Sequence, residues 1–298
     1  MTARCNAIST TLGALCCATA LVCLAGCTES APPVPDLSGT WGRNYFDLEP
    51  PLSGPGPIGE LMKAGFASVR DYTNPILKPG AAEIVKKRGE IELSGRYSPT
   101  AHNQCWPEAA PDILYQLGVQ VLQQRNQVTL LYLSNHQVRR VRMNEPHRTG
   151  MTPSWWGDSV GYYEGDTLVI DTIGQKVGPL STVDGDTPFS AQLHVIERYR
   201  LIDGETAREI QQKQESKEPG LAEELKGEYG RGDIDPDPQK KGLQVEITVE
   251  DPVMFTTRWS GLVTYRRVLG EWPEAVCAEN MREFGPERKP PMDERPDF

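Results

Sequence analysis

Beyond residue 27 the chain holds only two cysteines, Cys105 and Cys277, and its full 298 residues contain only four histidines. No CxxC or HxxxH spacing occurs, so nothing in the sequence supports a zinc site, and neither a metal nor a cofactor is expected. A phosphate-cradling Walker loop and an HExxH metalloprotease helix are both missing. Basic excess is missing too: 31 Lys and Arg stand against 41 Asp and Glu, a net charge of −10, with no basic cluster. A nucleic acid is therefore not an expected partner. No 20–50-residue period marks a repeat architecture.

One apolar run stands out, Ile8 to Leu24, after the positively charged start Met1–Thr2–Ala3–Arg4. It is short and rich in Cys, Ala, Ser and Thr, which suits the core of an export signal rather than a membrane span. The run ends in Leu24–Ala25–Gly26–Cys27, which resembles the bacterial lipobox; an ordinary signal peptide cut nearby is the alternative. Lipid on Cys27 would tether the protein to a membrane. Thr28, in place of Asp, points to the periplasmic side of the outer membrane. The expected organisation is a lipoprotein signal over 1–26, a lipidated cysteine and Pro-rich linker over 27–36, one β domain over 37–283, and a flexible tail over 284–298. In an oxidising compartment Cys105 and Cys277 are expected to form a disulfide, with two buried thiols as the alternative.

The mature chain, about 270 residues, is long enough for one large core. From Leu114 onward, short runs rich in β-branched and aromatic residues alternate with turn residues. Strands are expected at 119–124, 128–132, 137–143, 159–163, 167–172, 193–201, 243–249, 254–259 and 262–268. The predicted class is all-β and mainly antiparallel, a lipocalin-like barrel or a sandwich with short helical insertions. Gly39–Thr40–Trp41 on the first strand resembles the tryptophan floor of lipocalin-like barrels. Helices are expected at 58–70, at 80–88, and as a polar insertion over 205–228.

The stretch Thr152 to Gly174, TPSWWGDSVGYYEGDTLVIDTIG, concentrates the chemistry. Glu164–Gly165–Asp166 reads as a hairpin turn between two strands. Asp158, Ser159, Asp171 and Thr172 then lie at the open end of that hairpin, beside Trp155 and Trp156. Together with DYTNPILKP (71–79), NQCWPE (103–108), LHVIERYRL (193–201) and EWPEAVCAEN (271–280), this stretch resembles a widespread, largely uncharacterised family of exported bacterial proteins. That family is abundant in proteobacteria that degrade aromatic and terpenoid compounds. The resemblance implies a small aromatic or hydrophobic molecule as partner and assigns no residue a role.

Acid–base chemistry near neutrality calls first for histidine, with a carboxylate to orient the ring and a cation to hold developing negative charge. The candidates are His147 or His194 as acid or base, Asp158 or Asp171 as partner, and Arg140 as electrostatic stabiliser. Trp155, Trp156, Tyr162 and Trp106 are candidate substrate-binding walls. These groups are expected to converge on one concave region. Two function classes lead: an acid–base lyase or isomerase acting in a barrel pocket, and a non-catalytic lipoprotein that binds or relays a hydrophobic ligand. A structural envelope protein is the third.

Overall fold

The computed structural model describes residues 34–57, 71–96, 99–178, 181–184, 186–217, 219–220, 234–270 and 276–277. The expected export signal, Cys27, the helix expected at 58–70 and the expected C-terminal tail lie outside the described residues. The fold is a closed barrel of nine strands: β1 Gly39–Gly42, β2 Gly118–Gln123, β3 Gln127–Tyr132, β4 Val138–Met143, β5 Asp158–Glu164, β6 Thr167–Ile173, β7 His194–Ile202, β8 Gly242–Glu250 and β9 Trp259–Arg267. Among the described residues two α-helices accompany it, α1 Pro79–Leu93 and α2 Gly204–Glu215. The all-β class with short helical insertions holds, and the barrel is realised rather than the sandwich.

Each strand forms for the reason its sequence suggests. The burial of β3 alternates along Gln127–Tyr132, as a wall with one packed and one outer face requires. Gly165, at φ +60°, makes the tight turn between β5 and β6, where a residue with Cβ would be strained. Asp203 caps α2 by accepting from the Thr206 N–H at 3.0 Å.

All junctions are antiparallel except β4–β5, which is parallel and pairs only Arg142 with Val160 and Met143 with Gly161. Parity demands one such junction, because a closed ring needs an even number of antiparallel neighbours and nine strands cannot supply it. The 144–157 connection must therefore run back along the barrel before β5 begins. Gly161 permits the close approach at this seam, since a Cβ there would lie 2.8 Å from Met143 Sδ.

Of two expected strands, 254–259 and 262–268, only the second forms, and it starts earlier, as β9 Trp259–Arg267. Residues 251–258 turn instead, because Asp251 accepts from the backbone of Val253 and Met254 and from both groups of Ser190. Gly261 reads as a break in sequence. It sits inside β9 because a Cβ there would meet Leu48 at 3.0 Å.

The lumen is filled. Trp41, Tyr132, Arg139, Tyr199, Trp259 and Tyr265 are among its fully buried side chains. Trp41 donates its indole N–H to the Leu37 carbonyl at 2.9 Å, and the Arg267 guanidinium caps its ring at 4.0 Å. Cys105 and Cys277 are joined, with Cα atoms 5.5 Å apart. The bridge ties the segment before β2 to the chain beyond β9.

Candidate active site on the barrel rim

The pairings bring the end of β3, the starts of β4 and β5, the end of β6, the start of β7, the end of β8 and the start of β9 to one rim. Alternation divides the side chains of this rim between two networks, one outside the wall and one inside it.

The outer network holds most of the expected site. Asp158, Asp171 and His194 point outward from β5, β6 and β7, and His147 reaches them from the 144–157 connection. His147 Nδ1 lies 3.1 Å from Asp158 Oδ2, and its Nε2 lies 3.0 Å from Asp171 Oδ1. His194 Nε2 reaches the same Asp171 oxygen at 2.9 Å. On its other side, His194 Nδ1 lies 3.5 Å from Glu250 Oε2, and Glu250 in turn meets Arg258 at 3.5 Å. At the far end Arg142 donates to both oxygens of Asp158, at 2.8 and 2.9 Å, and pairs with Glu145. The result is a row of carboxylates alternating with histidine and arginine side chains across five strands.

Asp158 is the anchored end. Burial alone would raise its pKa. Hydrogen bonds from the Arg148 N–H, Arg142 and His147 outweigh that and hold the carboxyl below its ordinary 3.8. Arg142 responds in the opposite direction: its hydrogen bond to Asp158 raises its pKa.

A ring nitrogen meets a carboxylate only as an N–H donor. His147 faces carboxylates with both nitrogens, so both are engaged within the cluster. His194 makes its short hydrogen bond through Nε2. Its Nδ1 sits at a longer separation from Glu250, and the ring is 31% exposed, against 24% for His147. The geometry suits a base at His194 Nδ1, with Asp171 orienting the ring and stabilising the imidazolium formed.

The other expected residues lie elsewhere. Arg140 is exposed on the outer wall, and Arg142, two residues on along the same face, is the arginine that reaches the carboxylates. The parallel register that sets Arg142 beside Val160 makes the choice. The adjacent tryptophans diverge. Trp156 stacks on Tyr132 at 5.5 Å and packs against the core, whereas Trp155 meets Trp106 edge to face at 5.3 Å, with Lys176 Nζ 4.9 Å from its ring centre. Tyr162 is exposed further along the outer face of β5. Trp155 and Lys176 line a rim crevice with room for little more than a water, together with Asp112, Ser181, Thr182 and Phe189. One shared concave region is thus not what forms: the histidines and aspartates gather on the wall, and Trp106 and Trp155 at the crevice.

The inner network went unread in the sequence. Arg139 is fully buried and spends its donors on Ser159 Oγ at 3.1 Å, Thr172 Oγ1 at 2.7 Å, Tyr132 OH at 3.3 Å and Glu197 at 3.1 and 2.5 Å. Tyr199 OH donates to Glu197 at 2.8 Å. Burial raises Tyr132 to about 12. Gly157 to Gly161 also spells G-x-S-x-G, a spacing used by hydrolases whose serine stands on an exposed strand-to-helix turn. Here Ser159 lies inside a β-strand, buried and bound to Arg139, so it is no nucleophile.

Comparison with known proteins finds no matching family model, no matching curated protein and no matching solved structure. No described helix is long and apolar enough to cross a membrane. Among the described residues, no group of three or more His, Cys, Asp or Glu is arranged to hold a metal ion.

Proposed function

We propose that this protein is an acid–base enzyme of the lyase or isomerase type, acting on a small aromatic or hydrophobic molecule at the outer rim of its barrel. The observation that carries this reading is the convergence of His147 Nε2 and His194 Nε2 on the single oxygen Asp171 Oδ1, with His194 Nδ1 left as the less committed nitrogen. In the forward step Nδ1 takes a proton from the substrate and Asp171 holds the resulting imidazolium; in the return step the same nitrogen gives the proton back at a different atom. Oriented proton transfer of this kind contributes about 10²- to 10⁴-fold in rate. Arg142 and Asp158 fix His147, and His147 fixes Asp171. The lipobox-like Cys27 supports an envelope location, with lipid anchoring on the periplasmic side of the outer membrane. The sequence resemblance supports the substrate class.

The test is a screen of the purified mature protein against phenolic dimers and terpenoids, read by mass spectrometry, with His194→Gln alongside. Conversion of at least one compound, lost in the variant at unchanged melting temperature, bears the reading out. Conversion by both proteins alike overturns it.

A second reading is a non-catalytic protein that binds or relays the same class of molecule. The Trp106–Trp155 pair under the Lys176 ammonium favours it. Quenching of tryptophan fluorescence by compounds that are never converted would select it.

A further inference from the structure

Near the crevice lies a second histidine–carboxylate pair that the reading above does not use. Glu108 is almost fully buried behind the β3–β4 connection. Its carboxylate accepts from Ser134 Oγ at 3.0 Å and Gln116 Nε2 at 2.8 Å, and its backbone N–H donates to Gln137 Oε1 at 2.9 Å. The remaining partner is His102, whose Nδ1 lies 3.0 Å from Glu108 Oε1. Because a carboxylate can only accept, Nδ1 carries the hydrogen and Nε2 keeps its lone pair in the neutral ring. Nε2 has no partner among the described residues, and the His102 side chain is 60% exposed.

This arrangement differs from the outer cluster in the respect that matters for proton transfer. A buried carboxylate, itself held by two further donors, fixes one nitrogen, while the other stands open to solvent. The backbone is fixed too: the His102 carbonyl accepts from Cys105 N at 3.2 Å, and the disulfide to Cys277 lies against it. Ala101 and Pro107, on either side of this turn, line the rim crevice, and Trp106 within it meets Trp155 edge to face. The enclosed part of the crevice admits little more than a water. An aromatic ring would therefore lie against the exposed indole of Trp106 and present a substituent to the crevice. Lys176 supplies a cation there beside the Asp112 carboxylate, to which Thr182 Oγ1 donates at 3.4 Å, while Ser181 Oγ donates to the Lys176 carbonyl at 3.0 Å.

We propose that His102 and Glu108 form a second proton-transfer site, one that takes the hydroxyl proton of a small phenolic molecule lying against Trp106 and Trp155. The O–H bond breaks, an Nε2–H bond forms, Glu108 holds the imidazolium, and the phenolate stays paired with that imidazolium. The proton returns to the phenolate on release, so nothing is consumed. The same hydrogen bond to Glu108 raises the His102 pKa, which strengthens the ring as a proton acceptor.

The probe is 4-nitrophenol, whose absorbance reports its ionisation and whose binding quenches indole fluorescence. Added to the full mature protein near its own pKa, it is expected to quench tryptophan fluorescence and gain phenolate absorbance on binding. His102→Gln should keep the quenching and lose the gain. Trp106→Ala should weaken both, and His136→Gln should alter neither. In the wild-type protein, diethyl pyrocarbonate should modify His102 ahead of His147, and 4-nitrophenol should slow that modification; this arm needs no variant to fold. Absence of quenching, an unchanged absorbance gain in His102→Gln, or modification of His102 unaffected by the probe would each overturn the proposal. None of these readouts involves turnover, so their failure leaves the assignment of His194 standing.

Discussion

Asp158 and Arg142 meet across the parallel β4–β5 seam as a forked pair, at 2.8 and 2.9 Å. This pair is the outer staple of a junction with only two paired residues, and its inner counterpart is the bond from Arg139 to Ser159. Because the pair, with His147 and the Arg148 N–H, lowers the Asp158 pKa, Asp158 contributes stability that is present above its ordinary 3.8 and is lost as pH falls through the lower folded value. Asp158→Asn should lower stability at neutral pH and flatten the acid limb. Urea unfolding between neutral pH and the acid transition measures both effects. An acid limb identical in the two proteins would contradict this assignment.

Arg139 and Glu197 are enclosed in the lumen with neither side chain exposed. Removing one partner leaves an unpaired buried charge, at a cost of about 3–5 kcal/mol. Arg139→Met and Glu197→Leu are each expected to destabilise by that order, and the double variant by less than either sum. A double-mutant cycle in urea checks the coupling; strict additivity would mean the pair does not act as a unit.

His102 titrates above the ordinary 6.5, because Glu108 stabilises its charged form. Its contribution to stability is therefore full below 6.5 and is lost as pH rises through the higher folded value. Proton NMR of the ring should show a midpoint above 6.5 that falls in Glu108→Gln. An unmoved midpoint would remove Glu108 as the cause.

The Cys105–Cys277 bridge closes a loop 172 residues long. Loss of a native bridge costs about 2–5 kcal/mol. Reduction, or Cys105→Ser with Cys277→Ser, should lower the melting temperature and loosen the His102 turn, seen as faster hydrogen exchange around residues 101–106. Equal exchange in the oxidised and reduced protein would contradict that coupling.

Much of the barrel was legible from local pattern. β-Branched alternation marks β2 to β8, and Gly165 marks the β5–β6 turn. It also places Arg139 and Arg140 on opposite faces, as found. What alternation lacks is an absolute direction and a register. Nothing local says that Arg139, not Arg140, faces the lumen, or that β4 pairs in parallel with β5 and so brings Arg142, not Arg140, to Asp158. Glu250 and Glu108 reach their histidines from β8 and from the segment before β2, contacts set by closure of the ring. The divergence of Trp155 and Trp156 follows from the turn that leads into β5, and a pair of adjacent indoles reads in sequence as one wall.

His194 carries the central claim, because a base needs one nitrogen without hydrogen. Long-range ¹H–¹⁵N correlation spectra of the histidine rings read this directly, nitrogen by nitrogen. His194 is expected in the form with hydrogen on Nε2, donated to Asp171, and none on Nδ1. Hydrogen on His194 Nδ1 with Nε2 bare would break its bond to Asp171 and contradict the proposed acid–base site.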